Sequence, residues 1–252
     1  MNIKANEIIN DKLLKGENVL VMIVGDSITY GCDHCSTEET FCAYLARFFA
    51  KKYPQVSILR YDGVMVKEAE PHVRYGDPII VNKGSQQTLT FVKSGVGGNT
   101  VKHAIARSQD YVGVFENGEF PDLFLLMFGI NDSVPVPEKY ASPEEFYDDY
   151  KRLYNLIKEN NSNADIVFMT PTYNDCGDSA VSSLDLYSDM VKKLAEENGS
   201  QVIDTHKFWM DHLIVGSENY GQRDWLSGKE GDLCHMSHNG NRATAEFIFG
   251  EL

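Results

Sequence analysis

Short apolar stretches of strand length alternate along this chain with longer stretches in which apolar residues recur at helical spacing. Such alternation is typical of a parallel sheet that is covered by helices. The stretches with strand character are residues 18–24, 56–61, 123–128, 166–170 and 202–204. The stretches with helical spacing are residues 40–52, 143–160, 184–198 and 239–249, and a further helix begins at Thr100. We therefore predict an α/β fold with a central, mainly parallel sheet of about five strands.

Residues 62–92 interrupt this alternation. Turn-forming residues occur there three times between β-rich stretches, as Asp-Gly at 62–63, Gly-Asp-Pro at 76–78 and Asn-Lys-Gly at 82–84. We interpret the segment as a β-hairpin-like insertion. The chain contains no internal repeat, low-complexity segment or Pro/Gly/Ser-rich linker. We therefore expect a single domain over residues 1–252.

The overall charge limits the classes of partner. The 252 residues carry a formal net charge of −14, so we expect neither a nucleic acid nor an anionic membrane as partner. No segment approaches the roughly 18–20 apolar residues of a membrane span. The polar segment 1–17 predicts a short surface helix that ends near Gly16, and not a signal peptide. This favours a cytoplasmic location, or a secreted one if a leader has been removed.

Polar residues of the types that take part in catalysis follow the predicted strands. Ser27 comes directly after the first strand, and Asn131 follows the strand at 123–128. A glycine-rich turn spans residues 95–100, and Asp232 precedes His235 near the end of the chain. Because ligands bind at the carboxyl edge of open parallel sheets, we expect these groups to converge there. A Ser, a His and an Asp together can activate a hydroxyl for attack on an acyl carbon.

Each of these features also has a more ordinary interpretation. Taken alone, Asp232 is more often a helix cap or a loop acid, and the Gly97-Gly98 pair is more often a simple turn. Asn131, followed by Asp132 and two nearby prolines, fits a turn at the end of a strand. The case for chemistry therefore depends on the combination, and not on any single residue.

Four sequence blocks, in order, resemble those of the SGNH hydrolases, also called GDSL esterases and lipases. They are GDSITYG at 25–31, SGVGGNT at 94–100, FGIND at 128–132 and DLCHMSHNG at 232–240. Two positions depart from the common pattern of that family. Ser94 stands where many relatives have Asn, and Met236 follows His235 where Pro is frequent.

The resemblance implies a flavodoxin-like three-layer α/β/α fold and hydrolysis of esters, thioesters or amides without a metal or cofactor. It implies Ser27 as nucleophile, His235 as base and Asp232 as the acid that orients the base. The oxyanion hole would combine the backbone N–H groups of Ser27 and Gly98 with the side-chain amide of Asn131. No Gly-x-Ser-x-Gly motif is present, which argues against an ordinary α/β-hydrolase.

The loops near the predicted edge favour a small acyl ester as substrate. The sequence shows no long apolar lid of the kind that a lipase uses, and related SGNH enzymes remove acetyl groups from carbohydrates. We therefore expect the substrate to be a small-molecule or carbohydrate ester, and an acetyl ester is the leading candidate. Four aromatic residues offer a platform for a sugar, although core packing is the commoner role of such rings: Tyr30, Tyr173, Tyr220 and Trp225. A lipase or thioesterase, and a non-catalytic binding protein on the same scaffold, are the alternatives.

The five cysteines raise a further alternative. Cys32 and Cys35 form a Cys-x-x-Cys pair, and Cys42 and Cys234 are the candidates to complete a zinc site. No second Cys-x-x-Cys exists, so we expect reduced thiols and no metal centre. Cys32 and Cys234 are close in sequence to Ser27 and His235, and we expect them near the site without a role in catalysis.

Overall fold

The computed structural model describes residues 5–31, 35–66, 72–115, 118–174, 178–212, 225–227, 232 and 234–252. Its strands are β1 (Val19–Gly25), β2 (Ser57–Val66), β3 (His72–Tyr75), β4 (Ile79–Asn82), β5 (Thr88–Gly95), β6 (Leu123–Met127), β7 (Asp165–Met169) and β8 (Gln201–Ile203). Its helices are α1 (Ala5–Leu14), α2 (Ser27–Tyr30), α3 (Phe41–Lys52), α4 (Val101–Ala106), α5 (Pro143–Asn160), α6 (Asp178–Glu197), α7 (Thr205–His212) and α8 (His238–Glu251). None of these helices combines the length and the apolar character that a membrane crossing requires.

The strands form one sheet in the order β3-β2-β5-β1-β6-β7-β8, with β4 also paired to β2. All neighbours from β2 to β8 in this order are parallel, whereas β3 and β4 run antiparallel to β2. The predicted α/β class with a mainly parallel sheet is confirmed. The sheet has one more parallel strand than the sequence pattern indicates, because β5 begins inside the segment 62–92. That segment also supplies the end of β2 and both antiparallel edge strands.

Strand β1 shows why the sheet is covered on both faces. All seven of its residues are buried, as expected for a central strand of a parallel sheet. Side chains alternate between the two faces of a strand. Val19, Val21 and Ile23 accordingly join one core cluster, and Leu20 and Met22 join the other. The first cluster includes residues of α1, α3 and α8, and the second includes residues of α4, α5 and α6. The result is a three-layer α/β/α arrangement.

The helix boundaries follow local capping chemistry where the sequence supplies it. Ser142 and Glu145 form a capping box at the start of α5, with Pro143 as its first residue, as the sequence predicts. Helix α6 begins at Asp178, earlier than its apolar periodicity indicates. Helix α7 was not predicted, because its eight residues are too few to show a helical period.

The parallel register brings three strand ends to the same level. Gly25 at the end of β1 is paired with Gly95 of β5 on one side and with Met127 of β6 on the other. The segments that follow these three strands therefore leave the sheet side by side. They carry the GDS turn, the glycine-rich turn and the Gly-Ile-Asn-Asp turn.

Candidate active site

The turn after β1 is built so tightly that two glycines are required. A Cβ atom on Gly25 would lie 2.1 Å from Thr29 Oγ1, and one on Gly95 would lie 2.3 Å from the backbone nitrogen of Tyr30. Asp26 caps the short helix α2 by accepting a 2.9 Å hydrogen bond from the Ile28 N–H. Ser27 is the first residue of α2, and its position is thus fixed by the ends of two neighbouring strands.

The predicted Ser, His and Asp form one continuous chain of contacts. His235 Nε2 lies 2.9 Å from Ser27 Oγ. On the other side of the ring, Nδ1 lies 2.9 Å from Asp232 Oδ2 and 3.0 Å from Oδ1. Residues 208 positions apart in the sequence are therefore brought together at the carboxyl edge of the sheet, as predicted.

Asp232 is held as a carboxylate by its neighbours. Its Oδ1 accepts hydrogen bonds from the backbone N–H groups of His235, at 3.0 Å, and Cys234, at 3.3 Å. Burial by itself raises the pKa of this carboxyl, but the hydrogen bonds from His235 and Cys234 outweigh it and lower the pKa below its ordinary value. An ionised Asp232 can accept the Nδ1 proton and fix the tautomer of His235.

The glycine-rich turn leaves a backbone donor available. Gly98 has a φ of +77°, in the left-handed region that favours glycine. Within the described part of the chain, its N–H has no hydrogen-bond partner. A Cβ atom at this position would have Lys139 Nζ as its nearest neighbour, at 3.4 Å. The turn thus offers an uncommitted N–H group close to a cationic side chain.

The Asn131 amide is oriented from both ends. Its Nδ2 donates to Asp26 Oδ2 over 3.4 Å, and its Oδ1 accepts from Lys139 Nζ over 3.2 Å. Asn131 is only 7% exposed. Because Lys139 is bonded to the amide oxygen, the NH2 end is directed towards Asp26 and retains a second hydrogen for another acceptor.

Two buried carboxyl groups lie behind these donors. Burial raises the pKa of Asp26 to about 7, against the lowering effect of its hydrogen bonds from Ile28 and Asn131. Burial likewise raises the pKa of Asp132 to about 7, and the charge of Asp26 adds to the increase. Asp132 Oδ1 accepts a 3.0 Å hydrogen bond from the Val101 N–H, which links the Asn131 turn to the first residue of α4.

Sequence reasoning missed two cationic residues of the site. Lys139 lies in an irregular loop, and no motif marks it. Arg107, which follows α4, is buried and donates to Ser94 Oγ at 3.0 Å, to the Ser94 carbonyl at 2.9 Å and to the Gly25 carbonyl at 3.3 Å. It joins the ends of β1 and β5 behind Ser27. Burial lowers the pKa of this guanidinium.

Within the described residues, two of the four aromatic rings predicted to form a platform pack into the protein instead. Tyr173 is 5% exposed and belongs to a core cluster. Trp225 packs parallel to Phe208 and His212 and edge-on to Trp209. Tyr220 lies outside the described residues. Two of the four rings are thus taken up by core packing, which is their commoner role.

Among the described residues, the cysteines that the sequence offers as zinc ligands lie apart from one another. Cys32 lies outside the described residues. Cys35 and Cys234 are half-buried, and Cys42 is buried beside the Thr29 carbonyl. Among the described residues, no cluster joins these three thiols. Cys234 does lie near the site, as predicted, with its Sγ 3.6 Å from His235 Nδ1.

Comparison with known proteins finds a matching family and a curated relative. The sequence profile of the family described as GDSL-like Lipase/Acylhydrolase matches residues 21–248. An acetylxylan esterase of Geobacillus stearothermophilus is 32% identical over 126 residues, which cover 46% of this chain and 54% of that protein. The matching region thus spans about half the length of this relative.

Solved structures show the same fold at lower identity. The crystal structure of Axe2, an acetylxylan esterase from Geobacillus stearothermophilus, has a TM-score of 0.63 and 23% identity, covering 92% of this chain and 93% of that one. LAE5, an alpha/beta hydrolase enzyme from the metagenome of Lake Arreo, Spain, has a TM-score of 0.64 and 20% identity, covering 92% and 94%. Since the family profile extends over most of the sequence, the chain belongs to the GDSL-like lipase/acylhydrolase family, a family of acyl hydrolases.

Proposed function

We propose that this protein is a serine esterase that hydrolyses small acyl esters, with acetyl esters of carbohydrates as the leading substrate class. The observation that carries the proposal is the unbroken chain from Ser27 Oγ through His235 to the Asp232 carboxylate, with each contact at 2.9 Å. A serine hydroxyl is a weak nucleophile until a base takes its proton. This arrangement supplies that base within hydrogen-bonding distance.

The first step is attack of Ser27 Oγ on the acyl carbon of the ester. His235 Nε2 takes the hydroxyl proton as the new C–O bond forms. Asp232 accepts the Nδ1–H throughout, which keeps Nε2 free to receive the proton and stabilises the imidazolium that results. The acid acts through the ring and does not itself become protonated.

The negative charge that develops on the carbonyl oxygen requires donors. We assign them as the backbone N–H groups of Ser27 and Gly98 and the second hydrogen of Asn131 Nδ2. A donor of this kind typically contributes about 3 kcal/mol to the transition state. Lys139 strengthens the third donor, because a cation bonded to the amide oxygen withdraws electrons from the NH2 group. None of these steps calls for a metal ion, since the chain provides both the base and the donors.

The tetrahedral intermediate then expels the alcohol. His235 passes its proton from Nε2 to the oxygen of the leaving group, and the acyl group remains on Ser27. Water repeats the sequence with His235 as base, releases the carboxylic acid and restores the Ser27 hydroxyl. The same donors stabilise both tetrahedral intermediates.

The choice of a small acyl group on a sugar has two supports. Two similar proteins are acetylxylan esterases: the relative that matches over about half of its length, and the structural neighbour Axe2. The sequence also lacks a long apolar lid. A comparison of p-nitrophenyl acetate, butyrate and decanoate, followed by acetylated xylo-oligosaccharides, tests this choice. We expect kcat/KM to be highest for acetyl and to rise further on the oligosaccharide, with Ser27→Ala as the control for background hydrolysis. Preference for decanoate would instead favour a lipase.

A further inference from the structure

A thiol lies against the catalytic imidazole on the side away from Ser27. Cys234 Sγ is 3.6 Å from His235 Nδ1 and 3.7 Å from Asp232 Oδ1. Each residue supplies a different kind of metal ligand: a sulfur, an imidazole nitrogen and a carboxylate oxygen. Their ligand atoms all lie within 4.8 Å of one another, and among the described residues no other group of three His, Cys, Asp or Glu side chains does so.

The distances between the three atoms match one face of a zinc coordination tetrahedron. With Zn–S near 2.3 Å and Zn–N and Zn–O near 2.0–2.1 Å, such a tetrahedron has S···N and S···O edges of about 3.5 Å and an N···O edge of about 3.4 Å. The S···N and S···O separations here, 3.6 and 3.7 Å, are close to those values. The N···O separation of 2.9–3.0 Å is that of a hydrogen bond and needs to open by a few tenths of an ångström.

None of the three side chains is completely buried. The side chains of His235 and Asp232 are 25% and 12% exposed, and Cys234 is half-buried. All three belong to one tetrapeptide, so a cation can chelate them without any rearrangement of distant elements. Three protein ligands leave the fourth tetrahedral position for water or chloride.

We propose that Asp232, Cys234 and His235 form an inhibitory binding site for a thiophilic divalent cation such as Zn²⁺. The inhibition, though not the binding, rests on the proposed serine esterase function. A metal at Nδ1 forces the ring proton onto Nε2, because a neutral imidazole carries only one N–H. His235 then has no lone pair on Nε2 to receive the proton of Ser27, and the nucleophile stays inactive.

The protons balance without any change of oxidation state. The Cys234 S–H bond breaks, the sulfur binds the cation as thiolate, and its proton goes to solvent. The Nδ1 proton also leaves and one proton is taken up at Nε2, so the imidazole remains neutral. One proton is therefore released per cation bound. A chelator that removes the cation reverses every step and restores activity.

Zn²⁺ binding is tested first in the variant Ser27→Ala, which we expect to be inactive as an esterase. We expect Zn²⁺ titrated into Ser27→Ala to bind at one site per chain with micromolar affinity by calorimetry. We expect Co²⁺ at the same site to show a thiolate-to-cobalt charge-transfer band. The double variant Ser27→Ala/Cys234→Ala should bind Zn²⁺ at least about tenfold more weakly and lack the band, since it has lost the sulfur ligand. Melting temperatures of both variants establish that each is folded.

Inhibition is tested in the active protein, with each variant compared to its own rate without metal. Zn²⁺ should inhibit the wild type, and EDTA should restore its activity. Cys234→Ala should need at least about tenfold more Zn²⁺ for the same inhibition. Cys35→Ala is the matched control, because Cys35 is also a half-buried thiol but lies against the Met236 carbonyl and the Asn241 amide, and it should stay as sensitive as the wild type.

The two proposals fail in different ways. A wild type without esterase activity would contradict the proposed function, while the titrations of Ser27→Ala would still decide the metal site. Absence of Zn²⁺ binding to folded Ser27→Ala, or equal Zn²⁺ sensitivity of Cys234→Ala and wild type, would overturn the metal site alone.

Discussion

At the scale of single residues, the site depends on how Asp232 holds His235. The carboxylate accepts two backbone N–H groups and also lies against Nδ1 of the ring. These contacts lower the pKa of Asp232, so the acid stays ionised at neutral pH. The tautomer of His235 with its proton on Nδ1 follows from this arrangement.

Replacement of Asp232 by Asn tests whether this carboxylate fixes the tautomer of His235. The amide nitrogen of an Asn can donate to Nδ1, which favours the tautomer that carries its proton on Nε2 and cannot act as a base. We expect Asp232→Asn to lower kcat by at least about a hundredfold, up to about 10⁴-fold, with little change in KM. Steady-state kinetics on p-nitrophenyl acetate measure this. A kcat within threefold of wild type would show that the acid does not control the ring.

We expect replacement of Lys139 to lower kcat less than replacement of Asp232, because Lys139 acts through Asn131. Without the Lys139 ammonium group, the Asn131 amide oxygen loses the donor that lies 3.2 Å away, and the amide is oriented less firmly. We expect Lys139→Met to lower kcat about tenfold with KM nearly unchanged, and Lys139→Arg to recover part of the loss, since one oxyanion donor is worth about 3 kcal/mol in full. Lys207→Met, which removes an exposed lysine from an ion pair with Asp211 on α7, is the control. An equal loss in both variants, or a change in KM alone, would contradict this role.

The residues that a hydrolase motif contains could be predicted from the sequence, and the residues that support them could not. Ser27, Asp232 and His235 stand in blocks whose order is itself informative. Lys139 and Arg107 reach the site only through the path of the backbone, from a loop and from the end of a helix. Nothing in the local sequence indicates that their charged ends point at Asn131 and Gly25.

At the scale of elements, the site exists because three strands end at one level. Gly25 and Gly95 are paired across β1 and β5, and α2 packs over both with no room for a Cβ atom. The strand ends and the turn that carries Ser27 are therefore packed as one unit. We therefore expect a change in either strand end to displace Ser27.

A pair of glycine substitutions in the same block tests this packing. A Cβ atom on Gly95 would meet the backbone of Tyr30 at 2.3 Å, whereas one on Gly97 would meet nothing within 4 Å. We expect Gly95→Ala to lower the melting temperature by several degrees and to lower kcat, because backbone has to move. Gly97→Ala should keep both properties close to wild type. Similar behaviour of the two variants, by thermal unfolding and kinetics, would contradict the packing described here.

The elements that the sequence predicts best are those with a clear period and clear ends. Strands β1 and β6 are uninterrupted apolar runs, and α5 has its cap and its proline. Strand β5 could not be recognised as a separate strand, because β-rich edge strands and turns precede it and its first residues fall inside the predicted insertion at 62–92. Helix α7 was hidden because two turns of helix do not establish a period.

At the scale of the whole molecule, two buried acids contribute to the pH dependence of stability. Burial raises the pKa of Asp26 and of Asp132 from 3.8 to about 7. In the unfolded chain both groups ionise near the ordinary value. Between about pH 4 and 7 the unfolded chain has therefore released protons that the folded chain retains, and the free energy of unfolding decreases as the pH rises. These two groups thus make the fold more stable in mild acid than at neutral pH.

Comparison of Asp132→Asn with wild type measures the contribution of Asp132 to this effect. The amide oxygen can still accept from the Val101 N–H, but the side chain no longer ionises. We expect the melting temperature of the variant, relative to wild type, to rise as the pH increases from 4.5 to 8. Calorimetric scans at intervals of one pH unit measure it. A difference that is constant across this range would show that Asp132 does not titrate there.

The central claim is that Ser27 is a nucleophile activated by His235, and labelling with a fluorophosphonate tests it most directly. The reagent forms a covalent bond with an activated serine, and mass spectrometry of the digested protein identifies the residue. We predict one adduct per chain, on Ser27, with no labelling of Ser27→Ala and very slow labelling of His235→Ala. An adduct on another residue, or undiminished labelling of Ser27→Ala, would contradict the account.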